Sequence, residues 1–166
     1  MPAVSSFDVT STVDLQEVDN AVNQARKEIS QRYDFKGSTA SIEFNKADST
    51  LTLAAEDTMK INALWDVLQT RMVRRNVPVK NLKLGDIETA AGSSVRRVIT
   101  LQQGIPGDAA RDIIKFLKDQ KLKKVQASIQ GDQLRIASAS KDELQTAIGL
   151  LRGHDFGIAL QFGNYR

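Results

Sequence analysis

An internal repeat constrains this chain more than any other feature. Leu51 and Leu134 lie 83 positions apart, and so do Leu53 and Ile136. The same 83-residue step joins Asp57 to Ser140, Ile61 to Leu144, Trp65 to Ile148 and Leu68 to Leu151. Two of these pairs sit at alternating apolar positions of a strand. One pair is a helix N-cap, and three lie on an apolar helical stripe. Strand, cap and helix repeated in one register mark a duplicated supersecondary unit. The 166 residues then read as two small domains rather than one large one.

Local patterns give the unit its elements. Phe7-Asp8-Val9-Thr10 alternates apolar and polar, as a half-buried strand does. Leu15, Val18, Val22, Ala25 and Ile29 recur at steps of three and four, the stripe of an amphipathic helix. Asp14 and Glu17 in front of it have the spacing of a capping box. Ile42-Glu43-Phe44 and Leu51-Thr52-Leu53 alternate around the turn residues 45–49, which predicts a hairpin. A second helix begins after Asp57 and buries Ile61, Leu64, Trp65, Leu68 and Met72. Leu82-Lys83-Leu84 is a weaker strand.

The order then recurs. Residues 97–101 alternate, and Pro106 opens a helix with Ala110, Ile113, Ile114 and Leu117 on its apolar face. Residues 125–129 and 134–136 form a hairpin about Gly131-Asp132. Ser140 and Glu143 cap a fourth helix striped by Leu144, Ala147, Ile148 and Leu151, which Gly153 ends as a C′ residue. Ile158, Leu160 and Phe162 alternate as a last strand. The first and third helices match at another offset: Leu15 to Ala110, Val18 to Ile113 and Val22 to Leu117 are each 95. Against 83, that leaves 12 extra residues in the first copy, including Arg32-Tyr33-Asp34-Phe35-Lys36-Gly37.

A β-α-β-β-α-β unit makes an antiparallel sheet with both helices on one face, the ferredoxin-like pattern. The predicted fold class is therefore α+β, two such domains in tandem. The other sheet face is left open. In the second unit it carries Thr100, Gln126, Ser128, Gln130, Arg135 and Gln161, a hydrogen-bonding and mildly cationic set.

Composition removes several function classes. Cys is absent, so there are no disulfides, thiolate metal sites or Cys nucleophiles. The single His, His154, excludes multi-histidine metal sites and most histidine-centred catalytic sets, and its expected role is local capping. No phosphate-binding glycine loop of either common type is present. No apolar run is long enough for a membrane span, and residues 1–6 lack the features of a signal peptide, so a cytoplasmic location is expected. The net charge of +3 permits an anionic partner without demanding one.

Five stretches together resemble the YajQ family of bacterial proteins. They are Ser6-Phe7-Asp8, residues 32–37, residues 123–132, Asp142-Glu143-Leu144-Gln145, and Gln161-Phe162-Gly163-Asn164-Tyr165-Arg166. The resemblance runs the length of the chain. It implies two ferredoxin-like domains, 1–92 and 93–166, with the strands near 6–10 and 95–103 exchanged between them. It implies a nucleotide-binding protein without catalytic activity and without a cofactor. It includes members that are receptors for cyclic di-GMP and influence transcription. RNA binding and docking of a protein partner are the alternatives.

The candidate nucleotide- or anion-binding residues follow from chemistry. Lys123 and Lys124 lead into Gln126 on the open face, and Arg135 shares its outward parity on the neighbouring strand. An Arg binds phosphate bidentately or reads guanine O6 and N7, although a cross-strand acidic partner would serve it equally. Lys115, Lys118 and Lys121 extend the cluster, which Asp119 interrupts. In the insertion, Arg32 and Lys36 flank Tyr33 and Phe35, an arrangement suited to base stacking beside phosphate contact, with Phe35 expected to pin the loop to the core. Arg71, Arg74 and Arg75 are explained by the negative end of the helix they close.

Overall fold

The computed structural model describes residues 3–166. Strand β1 is Ser5–Thr10 and helix α1 Leu15–Gln31; a hairpin of β2, Ser41–Asn45, and β3, Thr50–Ala55, leads to α2, Thr58–Arg74. Three strands follow: the short β4 Leu82–Leu84 and β5 Glu88–Thr89, and the longer β6 Val95–Leu101. Then come α3 Gly107–Asp119, β7 Val125–Gln130, β8 Gln133–Ser138, α4 Lys141–Arg152 and β9 Gln161–Gly163. Every strand pairing is antiparallel, giving the α+β class of two ferredoxin-like sheets. Among the described residues no helix is long and apolar enough to cross a membrane.

The chain forms two compact units, one of residues 13–102 and the other of the residues through Thr12 with Gln103–Arg166. The second has strand order β7-β8-β1-β9, so β1 fills the central place beside β8. The first has order β2-β3-β6-β4, with β6 in the matching place and β5 also pairing with β6, on the flank that β4 takes. The two copies have thus exchanged their first strands. The small β5 makes one sheet five-stranded rather than four, and the last strand is three residues, shorter than its alternation predicts.

Both cores follow the repeat. Leu51, Leu53, Leu134 and Ile136 are fully buried, as are Val9 and Phe7 opposite the last two. The N-caps Asp57 and Ser140 accept from backbone amides of Lys60 and Glu143. Asp14 accepts from Gln16 and Glu17, but Glu17 does not complete the box and instead meets Arg75 at 3.4 Å. Glu143 likewise turns away and accepts from the Lys124 amide at 3.1 Å. Gly153 closes α4 in the right-handed region at φ −84°, not as a left-handed C′ residue. The His154 amide donates to the Leu151 carbonyl at 3.4 Å, a local cap at the end of α4, and its ring packs at a tilt against Phe116 at 4.5 Å and Phe156 at 4.6 Å.

One glycine ties the chain's return to its sheet. Gly104 has φ +84°, donates to the Ser11 carbonyl at 2.6 Å, and lies where a Cβ would come within 2.7 Å of the Asp132 carboxylate. Gly104→Ala combines left-handed strain with that clash. A loss of about 1–3 kcal/mol is expected, read as a lower melting temperature.

Candidate functional site

The open face of the second sheet is built by β7, β8 and β1. Ser128 stands opposite Arg135, and Gln126 opposite Ala137, so Gln126 and Arg135 are diagonal neighbours on one face. Gln126, Ser128 and Gln130 are exposed and Arg135 is half-buried. Thr100 is not on this face. It lies on β6 in the other sheet, because the strand exchange moves β6 out and brings Asp8 in.

Asp8 organises the face. It is only 5% exposed, and it stands directly opposite Arg135. Arg135 Nε donates to Asp8 Oδ1 at 3.0 Å, and Asn164 Nδ2 donates to Oδ2 at 2.5 Å. Asn164 reaches it through a left-handed backbone, φ +54°, just past β9. The Asn164 hydrogen bond, then that from Arg135, holds the Asp8 carboxyl below the usual carboxylate range, against burial, which raises it; the charges of Arg135 and Arg166 add to the lowering. Both carboxylate oxygens are satisfied, so Asp8 sets Arg135 in place at the cost of part of its charge. The cross-strand acidic partner is therefore real. The two terminal guanidinium nitrogens of Arg135 take no partner among the described residues.

Lys123 and Lys124 are exposed in the turn from α3 into β7, beside Lys121, which closes the helix at φ +60°. Among the described residues, Lys115, Lys118, Lys121, Lys123 and Lys124 make no ion pair. Behind β7 a groove of about 360 Å³ runs between the strand and α3. Ile114, which periodicity assigns to the core, is half-buried on its wall.

The insertion belongs to the other unit, so it is not part of this sheet. Residues 33–35 form a single 3-10 turn. Arg32 is engaged throughout: it donates to Asp34 at 2.7 and 3.0 Å, meets Glu28 at 3.4 Å, and lies over the Phe35 ring. The Arg32 hydrogen bonds lower the Asp34 carboxyl. Lys60 also covers the Phe35 ring and donates to the Asp34 carbonyl. Phe35 is 6% exposed and pins the turn, as expected, whereas Tyr33 is 89% exposed beside an exposed Lys36.

Sequence reasoning missed Asp8 and Asn164 as organisers of the site. They lie 127 and 29 residues from Arg135, and no local signal links the three. It missed a second cleft of about 300 Å³ too, where Asp112, Lys115 and Asp119 adjoin the ring cluster of Phe116, His154 and Phe156. Among the described residues no group of three His, Asp or Glu is placed to hold a metal ion.

A family model described as nucleotide-binding protein YajQ-like matches residues 5–166. A protein of Solibacter usitatus named nucleotide-binding protein is 53% identical over 162 residues, 98% of this chain and 97% of that protein. One from Koribacter versatilis, also named a nucleotide-binding protein, is 50% identical over 164 residues, 99% of this chain and 98% of its own length. One of the same name from Acidithiobacillus ferrooxidans is 51% identical over 161 residues, covering 97% of this chain and 98% of that protein. With the match spanning both sheets and the exchanged first strand, the chain belongs to the YajQ family.

Proposed function

We propose that this protein binds a nucleotide on the polar face of β7 and β8 and does not turn it over. One observation carries the reading: Arg135 is held by Asp8 through Nε alone, which leaves the rest of its fork for a ligand beside Ser128 and Gln126. A guanidinium fixed at one nitrogen loses less entropy when it binds an anion, and its planar fork suits phosphate or the O6/N7 edge of guanine. Gln126 and Ser128 supply further donors and acceptors, and Lys123 and Lys124 supply charge at the strand's start. Within the class, a guanine nucleotide, cyclic di-GMP included, suits these groups best. The names of the relatives support nucleotide binding in general. No thiol, histidine set or phosphate loop is at hand for hydrolysis.

A calorimetric panel of nucleotides, cyclic dinucleotides and a structured RNA tests this. Arg135→Ala, and Lys123→Ala with Lys124→Ala, are each expected to weaken the best nucleotide by about tenfold to a hundredfold, the loss of one charge-assisted hydrogen bond or its equivalent. Arg135→Lys keeps the charge but not the fork and is expected to weaken binding as well. Circular dichroism and melting establish that each variant is folded. Folded variants that bind like the wild type overturn the site, and Tyr33 and Lys36 with Arg32 are then the residues to change. Binding confined to the RNA, with a steep dependence on salt, overturns the nucleotide reading in favour of a polyanion. Steady hydrolysis that persists through repeated purification overturns the absence of turnover.

A further inference from the structure

Among the described residues the outer edge of β7 has no strand beside it. β7 ends the order β7-β8-β1-β9, and its six residues, Val-Gln-Ala-Ser-Ile-Gln, carry no charge and no proline. Natural sheet edges are usually guarded by lysines, prolines, bulges or shortness, because unpaired N–H and C=O groups template another strand. This edge has none of those guards, and Ile129 on it is 52% exposed.

The backbone phase defines what the edge offers. The Val125 amide donates back to the Leu122 carbonyl rather than across to β8. In an antiparallel ladder alternate residues face the partner strand. Gln126, Ser128 and Gln130 therefore bond to β8, and Ala127 and Ile129 turn their N–H and C=O groups outward. Beside them lies the groove of about 360 Å³, walled by Ile114, Leu117 and Leu122 on the α3 side and by Val125 and Ala127 on the strand, with Lys118 at its rim. A strand laid along β7 would send every second side chain into that apolar groove. Its remaining side chains would face the side of the sheet that carries Gln126 and Ser128.

We infer that β7 is a docking edge for an extended acidic segment of a partner protein, added to the sheet as a fifth strand. Charge selects this occupant. Lys118 stands at the groove's rim, Lys121 just past the end of α3, and Lys123 and Lys124 at the strand's start, none of them in an ion pair among the described residues. A second copy of this chain would bring a second set of the same lysines to the interface. A segment alternating apolar and acidic residues satisfies groove, edge and charge together. The inference goes beyond nucleotide binding, because it rests on the backbone edge of β7 and the apolar groove, with the acidic side chains on the face that carries Gln126 and Ser128.

The test is fluorescence anisotropy with the full chain, no nucleotide present, and a labelled Glu-Val-Glu-Val-Glu-Val-Glu heptapeptide. Saturable binding is expected. One of two analogues, N-methylated at every Val or at every Glu, is expected to bind at least about tenfold more weakly at unchanged charge, since one of those sets of N–H groups faces β7. Ala127→Pro removes an outward N–H without touching the β8 ladder and is expected to weaken binding similarly. Should Ala127→Pro fail to fold, Ile129→Pro, which removes the other outward N–H, gives the same reading. No saturable binding overturns the inference. Equal binding of both N-methylated analogues also overturns it, since charge alone is then being read. A concentration-dependent dimer that excludes the peptide overturns it in favour of a second copy. These measurements are made without nucleotide and read backbone pairing along β7, so the nucleotide site and the docking edge stand or fall separately.

Discussion

Phe7→Ala is expected to destabilise the unit containing residues 103–166 by about 3–5 kcal/mol, the cost of emptying a fully buried aromatic site. Phe7 is 0% exposed, stands opposite Ile136, and packs against Phe162 at 5.9 Å and Tyr165 at 6.3 Å. All of these neighbours lie more than 120 residues away in sequence. Hydrogen exchange should show protection lost in β8, β9 and α4, while β3 and α2 keep theirs. Ile99→Ala, on the strand that took the matching place in the other sheet, should do the reverse at a cost of about 2–5 kcal/mol. If Phe7→Ala exposes β3 and α2 and spares β8, the strand exchange is wrong.

Asp8→Ala is expected to cost about 2–4 kcal/mol, because it removes a buried carboxylate that two donors share and leaves Arg135 half-buried without its partner. The pH dependence has a definite sign. Asp8 titrates below its unfolded value of about 3.9, so its contribution is complete above that pH and is lost as pH falls through the lower, folded value. The gap in stability between wild type and Asp8→Ala should stay constant from neutral pH down to about pH 5 and close below about pH 4. Chemical denaturation across that range measures it. A gap that widens on acidification would mean that Asp8 is not held as its anion.

Much of the fold is legible in the residues because it depends on near neighbours. The helix stripes emerged where expected: Val18, Val22 and Ala25 in α1, and Leu144, Ala147, Ile148 and Leu151 in α4, are buried. Caps at Asp57 and Ser140 and the two-residue turn at Gly131-Asp132 are equally local. The departures have a common cause. Periodicity reports a face, not what covers it. Ile114 has the right phase for the core but lies where β7 has no neighbour, so it walls a groove. Glu143 has capping-box spacing, yet the Lys124 amide at the head of β7 takes its carboxylate. Of the site residues, Gln126 and Arg135 share a face as their parity requires, while Arg32 is consumed by Asp34 and Glu28 at its own turn.

By itself the sequence determined that this chain is a duplicated β-α-β-β-α-β unit, since strand alternation, helix stripe and N-cap recur together 83 residues apart. It did not determine which first strand enters which sheet. β1 and β6 both alternate, and each offers an apolar residue at one shared core position, Val9 facing Leu134 where Ile99 faces Leu51, while Arg97 faces Leu53 where Phe7 faces Ile136. Only the tertiary structure decided, and the charges on the other face give the reason. In the equivalent register Asp8 matches Val98, and Arg135 matches Thr52. Without exchange, Asp8 would stand opposite Thr52 and Arg135 opposite Val98, leaving a carboxylate and a guanidinium on separate sheets, each without its partner. Exchange places them 3.0 Å apart on one sheet, where each charge has its partner.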